Sequence, residues 1–207
     1  MKKRVIRFLV SFLCIGGVLL NNYSVLANAT NYYAGTVKPD GKAIEATIKP
    51  IILPYVGNSG ESCWVSNCYD GGSVMLWLQT GIRYYNGYSS FKTYVEYKQS
   101  STVYQMEELN THSLSTAKTY KVQFENDGKW HAYISGIEKK AIAFSFVHAT
   151  IEAMAEAHSP NIQMGPFYFT NVRYKNLNGT WTYMDVTPYA DSPYHIQITN
   201  NYTYKAY

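Results

Sequence analysis

The sequence predicts an all-β protein folded as an antiparallel β-sandwich, and three observations lead there. Tyr, Phe and Trp number 21, 8 and 4 in 207 residues, and together with abundant Thr and Val they suit the pleated, half-buried surface of a sheet. Short segments of alternating polarity recur along the chain, about eleven in all. Between them stand turn signals such as Pro39-Asp40-Gly41, Asn86-Gly87 and Asn126-Asp127-Gly128, at the regular spacing of a sandwich or barrel.

The first residues stand apart. Lys2, Lys3, Arg4 and Arg7 precede an apolar block from Phe8 to Leu20, and Ala27-Asn28-Ala29 has the small-residue pattern of a signal-peptidase site. Residues 1–29 are therefore expected to be a removed signal peptide, residues 30–207 one sandwich domain, and the protein secreted. The leader holds four of the 18 basic residues and none of the 14 acidic ones. Without it the domain is formally neutral, which argues against a nucleic-acid or anionic-membrane partner. No stretch reaches the roughly 20 apolar residues of a membrane span. Cys63 and Cys68 are the two cysteines left in the domain, and an oxidising compartment favours a disulfide between them that shapes a turn around Trp64. Two Cys five apart with no further partner set argue against a metal site, and nothing indicates a cofactor. A monomer is expected.

In chain order, Glu45 to Leu53 alternates and closes at Pro54. The cysteine segment leads to the turn Asp70-Gly71-Gly72, and Val74 to Tyr85 is a long strand. Phe91 to Lys98 returns from the Asn86-Gly87 hairpin, and Val103 to Glu108, Thr119 to Glu125, Trp130 to Ser135 and Ala141 to Val147 follow. Thr150 to His158 has helical propensity between neighbours that read as strands. Phe167 to Tyr174, Thr180 to Val186 and Tyr194 to Thr199 complete the set, with the last few residues read as a tail.

The chemistry centres on Leu76-Trp77-Leu78-Gln79-Thr80-Gly81-Ile82. Alternation puts Trp77, Gln79 and Gly81 on one face and Leu78 and Ile82 on the core face. An amide beside a Trp and a Gly, away from the core, either satisfies a backbone group or floors a groove. Tyr94, Glu96 and Lys98 share a face of the returning strand, which brings Glu96 near Gln79. Glu152 and Glu156 share a face in either conformation, because a spacing of four is one helical turn or two strand repeats. On a partly buried face, one of that pair is pushed toward protonation.

Several ordered segments, Asn31-Tyr32-Tyr33-Ala34-Gly35, Trp64-Val65, Leu78-Gln79-Thr80-Gly81, Tyr94-Val95-Glu96-Tyr97, Glu152-Ala153-Met154-Ala155-Glu156 and Phe169-Thr170-Asn171, resemble those of the eqolisins, the glutamic peptidases. The resemblance implies a concanavalin A-like jelly roll of two seven-stranded sheets with a concave substrate groove. It also implies a strand over Thr150 to His158, a catalytic pair at Gln79 and Glu156, and supporting roles for Trp64 and Glu96. Four residues beyond Trp64, where the family usually carries Asp, this chain has Cys68, so Asp70 is the nearest carboxylate to serve there. Glu152 completes the candidate set. The activity so implied is acid endopeptidase action on a polypeptide held in the groove. A carbohydrate-binding module or a glycosidase using Glu96 and Glu156 is the rival on the same sandwich, and an inactive eqolisin-like binding protein is a third reading.

Overall fold

The computed structural model describes residues 31–207, so the expected signal peptide lies outside the described residues. Fifteen strands run in order: β1 Tyr32–Gly41, β2 Ala43–Pro50, β3 Gly60–Asp70, β4 Met75–Tyr85, β5 Phe91–Lys98, β6 Tyr104–His112, β7 Lys118–Phe124, β8 Trp130–Ile134, β9 Ile137–Ile142, β10 Ala149–Ala157, β11 Phe167–Lys175, β12 Trp181–Tyr183, β13 Pro188–Ala190, β14 Ile196–Asn200 and β15 Thr203–Ala206. All pairings are antiparallel, and there is no helix among the described residues.

One sheet has seven strands in the order β13-β1-β10-β3-β4-β5-β6, and the other has eight, β14-β15-β11-β2-β7-β8-β9 with β12 added beside β11. The core lies between them. Cys63, Val65, Leu78, Ile82, Val95, Ala153 and Ala155 face it from the first sheet, and Ile44, Ile48, Tyr120, Val122, Trp130, Phe167 and Phe169 from the second. Strand parity then directs Trp64, Gln79, Tyr94, Glu96 and Glu156 to the opposite face of the first sheet, where Tyr33, Trp64, Tyr94 and Met154 form a separate buried cluster.

Several expectations need correction. The cysteine segment is not a loop but β3, an eleven-residue strand at the centre of its sheet. Cys63 and Cys68 are an odd number of residues apart on that strand, so their side chains point to opposite faces. Their Cα atoms are separated by about 16 Å of extended chain, far beyond the reach of a disulfide. Cys63 is a free, buried thiol. Residues 143–147 carry an apolar run but lie outside any strand, the strand falling instead on Ile137–Ile142. The expected tail forms β15, whose Tyr204 and Ala206 are fully buried. Pro39-Asp40-Gly41 lies within β1, with Asp40 at φ 59° and a register irregularity before Gly41, and the chain passes from one sheet to the other there. The segment with helical propensity is strand β10 between β1 and β3, because pairing on both edges outweighs a propensity of a few tenths of a kcal/mol per residue.

Candidate active site

Three cross-strand rows build the groove face. In the first, Val37, Glu152, Ser66, Gln79, Glu96 and Met106 stand opposite one another across β1, β10, β3, β4, β5 and β6. The next contains Gly35, Met154, Trp64, Gly81 and Tyr94, and the third Tyr33, Glu156, Ser62, Arg83 and Lys92. Gln79 and Glu156 thus occupy the outer rows on either side of Trp64 and Gly81. They are offset by two strands and four residues, about 16 Å between Cα atoms on a flat sheet. They make no direct hydrogen bond.

Gly81 leaves the middle of this constellation without a side chain. A Cβ there would fall 1.9 Å from the Cys63 carbonyl oxygen and 2.7 Å from the Trp64 Cα, so β3 and β4 approach too closely for any other residue. Gly81 has Gln79 and Arg83 two residues away on its own strand and Trp64 and Tyr94 opposite it on the adjacent ones.

Glu156, 7% exposed, accepts from both flanks. Trp64 Nε1 donates to its Oε2 at 3.1 Å and Ser62 Oγ to the same oxygen at 3.3 Å, while Asn31 Nδ2 donates to Oε1 at 2.7 Å. His158 Nε2 lies 3.4 Å from Oε1. On the other side, Gln79 Nε2 donates to Glu96 Oε2 at 2.9 Å and to the Tyr94 hydroxyl at 3.1 Å. Tyr104 donates to Glu96 Oε1 at 2.8 Å.

Burial raises the Glu96 carboxyl above its usual range and the charge of Glu156 adds to this, against the opposing hydrogen bonds of Tyr104 and Gln79 and the charge of Arg83. The two halves of the site therefore converge closely enough for one carboxylate to act on the other. Glu152 is 2% exposed and is pushed up to about 8 by burial. Of the Glu152–Glu156 pair it is Glu152 whose proton affinity is raised, and desolvation is the cause.

Trp64, Gln79, Glu96, Glu152 and Glu156 are thus brought to one face. Asp70 is not. It is exposed at the end of β3, where its carboxylate caps the backbone N–H of Gly72 at 2.8 Å, and it sits four residues along the strand from Ser66. Ser62, Asn31, His158, Tyr94 and Arg83 were missed as site residues. Parity with Trp64, Glu156, Gln79 and Glu96 was the available signal for all but Asn31, which lies just outside β1. A separate cavity of about 300 Å³, lined by Val95, Tyr97, Gln105, Met106, Glu107 and Lys140, contains none of these groups.

No family model matches the chain, and no curated protein sequence does. Solved structures do. Scytalido-glutamic peptidase with a transition-state analogue inhibitor superposes at a TM-score of 0.62 and 14% identity, covering 86% of this chain and 98% of that one. The same peptidase with a peptide-based transition-state analogue gives 0.61 at the same identity and coverage. The eqolisin-family peptidase SCP-B, in complex with the tripeptide Ala-Ile-His, gives 0.58 at 14% identity, again over 86% and 98%. This chain has the glutamic-peptidase fold. At such identity the likeness establishes the fold alone; the roles of side chains have to be argued from this chain's own geometry.

Proposed function

We propose that the protein is an endopeptidase that hydrolyses peptide bonds at acid pH through Gln79 and Glu156. The observation that carries the reading is the pair's placement. An amide and a hydrogen-bonded carboxylate stand in the rows on either side of Gly81 and Trp64, on one face of a fold that is similar to the glutamic peptidases over nearly their whole length.

A polypeptide segment lies along the groove with its scissile carbonyl above Gly81. Glu156 Oε1 or Oε2 accepts a proton from water as the water oxygen bonds to the carbonyl carbon, and the carbonyl π pair moves onto oxygen. The Gln79 amide stabilises the resulting oxyanion. Collapse expels the amine, which takes the proton from Glu156. Trp64 and Ser62 hold the carboxylate in place, and Glu96 holds the amide. A carboxylate serving as general base favours an acid optimum, because carboxyl groups in general titrate at about pH 4.

The test is digestion of an unfolded protein substrate between about pH 2 and 7 by wild type, Gln79→Ala and Glu156→Gln. Wild type is expected to cleave, Gln79→Ala to lose about 10²–10³ in kcat, and Glu156→Gln to lose at least as much. Cleavage that survives both substitutions, or retention of a polysaccharide by a wild-type protein that cleaves nothing, overturns the assignment. Secretion is tested separately, by N-terminal sequencing of protein recovered from the medium, with a mature end at Thr30 as the expected result.

A further inference from the structure

Glu61 is a buried carboxyl that the proposed chemistry does not use. It leaves β3 on the face of Cys63 and Val65, between Ala157 of β10 and Tyr84 of β4, and it is fully buried. Its Oε2 accepts the backbone N–H of Gly165 at 2.9 Å, a contact spanning 104 positions. Its Oε1 is buried with no hydrogen-bond partner among the described residues. A buried carboxylate needs donors on both oxygens or a cation beside it, and Glu61 has neither among the described residues. The titratable groups around it are the Cys63 thiol on its own strand, the Tyr84 phenol on β4, and the phenol of Tyr194 with Tyr32 of β1 packed against its ring. Tyr55 is exposed, and His158 lies on the other face with Glu156.

Gly165 belongs to the segment 158–166, which leads from β10 to β11 without joining a sheet. Besides the Glu61 bond, the segment is tied by the His158 N–H to the Gly60 carbonyl at 3.1 Å, by the Gln163 N–H to the Tyr55 carbonyl at 3.3 Å, by the Ile51 N–H to the Pro166 carbonyl at 3.3 Å, and by the Tyr194 hydroxyl to the carbonyls of Ser159 and Ile162. Ile162 and Met164 are buried in the core. Gly165 turns the chain at φ 62°, where a Cβ would fall 2.6 Å from the Phe167 nitrogen and 2.8 Å from the Ala206 carbonyl oxygen, so only glycine fits. We propose that Glu61 is a proton-operated latch: as the neutral acid it holds residues 158–166 closed over the end of the sandwich, and loss of its proton opens them.

On opening, the carboxyl proton passes to water, the Gly165 bond breaks and solvent reaches both oxygens, which the closed segment denies them. Burial raises the closed-state carboxyl well above its usual range, against the weaker opposing effect of the Gly165 bond. The closed form therefore binds the proton more tightly than the open one. Closure is fully favoured below the ordinary value of about 4.5 and is lost as pH rises through the raised one. One proton leaves per opening, so the open population grows about tenfold per pH unit between those two values. The latch adjoins the candidate site: Ser62, the next residue, donates to Glu156 Oε2, and His158, at the start of the segment, lies 3.4 Å from Oε1. The latch stands whether or not the protein cleaves peptides, because it concerns the segment and not the chemistry.

The experiment is amide hydrogen exchange of the whole protein, read by mass spectrometry at about pH 5, 6 and 7 and corrected for the intrinsic pH dependence of exchange. In wild type, peptides covering 158–166 are expected to lose protection about tenfold per pH unit and to regain it on return to pH 5, while peptides from β2 and β4 keep theirs. Glu61→Gln keeps an oxygen for the Gly165 N–H and has no proton to lose, so its segment is expected to stay protected at all three values. Glu61→Leu removes the acceptor and is expected to give low protection that does not vary with pH. Unchanging protection in wild type, a slope that survives Glu61→Gln, or a loss shared equally by β2 and β4 overturns the latch. Should both variants fail to fold, the wild-type slope and its confinement to 158–166 still decide. A protein that shows the slope and cleaves nothing keeps the latch and loses only the peptidase reading.

Discussion

At the scale of single residues, environment separates chemically identical groups. Glu152 and Glu156 leave the same face of β10, yet Glu152 has no hydrogen-bond partner among the described residues and holds its proton to about pH 8, whereas Glu156 is met by Trp64, Ser62 and Asn31. One is buried without a partner and the other is held by three donors. Cys63 illustrates the same dependence. Burial pushes its thiol well up, and the nearby Glu61 adds to this. Only the thiolate is reactive, so Cys63 is expected to resist alkylation in the native state and to label fully in denaturant, as read by mass spectrometry of its peptide. Labelling of native protein at the rate of a free thiol would contradict its placement in the core.

At the scale of the element, the contact between β3 and β4 is what assembles the site. The row Gly35–Met154–Trp64–Gly81–Tyr94 places glycines beside large side chains, and at both glycines a Cβ would collide with neighbouring backbone, 2.2 Å from the Ala153 carbonyl oxygen at Gly35 and 1.9 Å from that of Cys63 at Gly81. Backbone cannot yield as a flexible side chain does. Gly81→Ala is therefore expected to cost about 3 kcal/mol or more in urea unfolding, and to displace Trp64 from Glu156. Gly87→Ala is the contrast. It sits in a turn at φ +88° with nothing within 4 Å, so only backbone strain of about 1 kcal/mol is expected. Equal costs at the two positions would show that close strand approach is not what Gly81 serves.

At the scale of the whole molecule, the buried titratable groups bias the fold toward acid. Burial raises Glu61 and Glu152. For Glu152 the folded value of about 8 stands above the ordinary 4.5, so its contribution is fully present below about pH 4.5 and is lost as pH rises toward 8. His131 adds the same sign. Burial opposes its charge, but hydrogen bonds to Asp127 at 2.9 Å and Glu138 at 3.0 Å outweigh that and raise it, so its stabilisation also fades as pH rises. His112, lowered by burial, works in the other direction and is lost as pH falls below its usual range. Glu96 is raised as well, and four groups, Glu61, Glu96, Glu152 and His131, against His112 predict a net loss of a few kcal/mol between pH 4.5 and 8 in urea unfolding, part of it removed by Glu152→Gln. Stability that rises with pH over that window would refute this account. An acid-favouring fold also suits the acid activity proposed for the site.

How much of this could be read from the chain alone depends on the range over which each feature is decided. Alternation and turn chemistry are local, and they determined the all-β class, the core-facing Leu78 and Ile82, the hairpin after Tyr85 and the outward face of Trp77, Gln79 and Gly81. The neighbouring position of Glu96 followed from one hairpin, and the structure places it directly opposite Gln79. Segment order carried the resemblance that brought in Trp64 and Glu156. What lay beyond the sequence was long-range. Pairing on both edges decided that Ala149–Ala157 is a strand, insertion into the sheet centre turned the cysteine segment into β3 and separated Cys63 from Cys68, and addition to a sheet made β15 of an apparent tail. The bonds of the Gln79 amide to Glu96 and Tyr94, and those of Trp64 and Ser62 to Glu156, exist only where β3, β4, β5 and β10 meet. Their residues are up to 94 positions apart in the contact of Ser62 with Glu156, and no local pattern registers a contact that the chain makes only by folding.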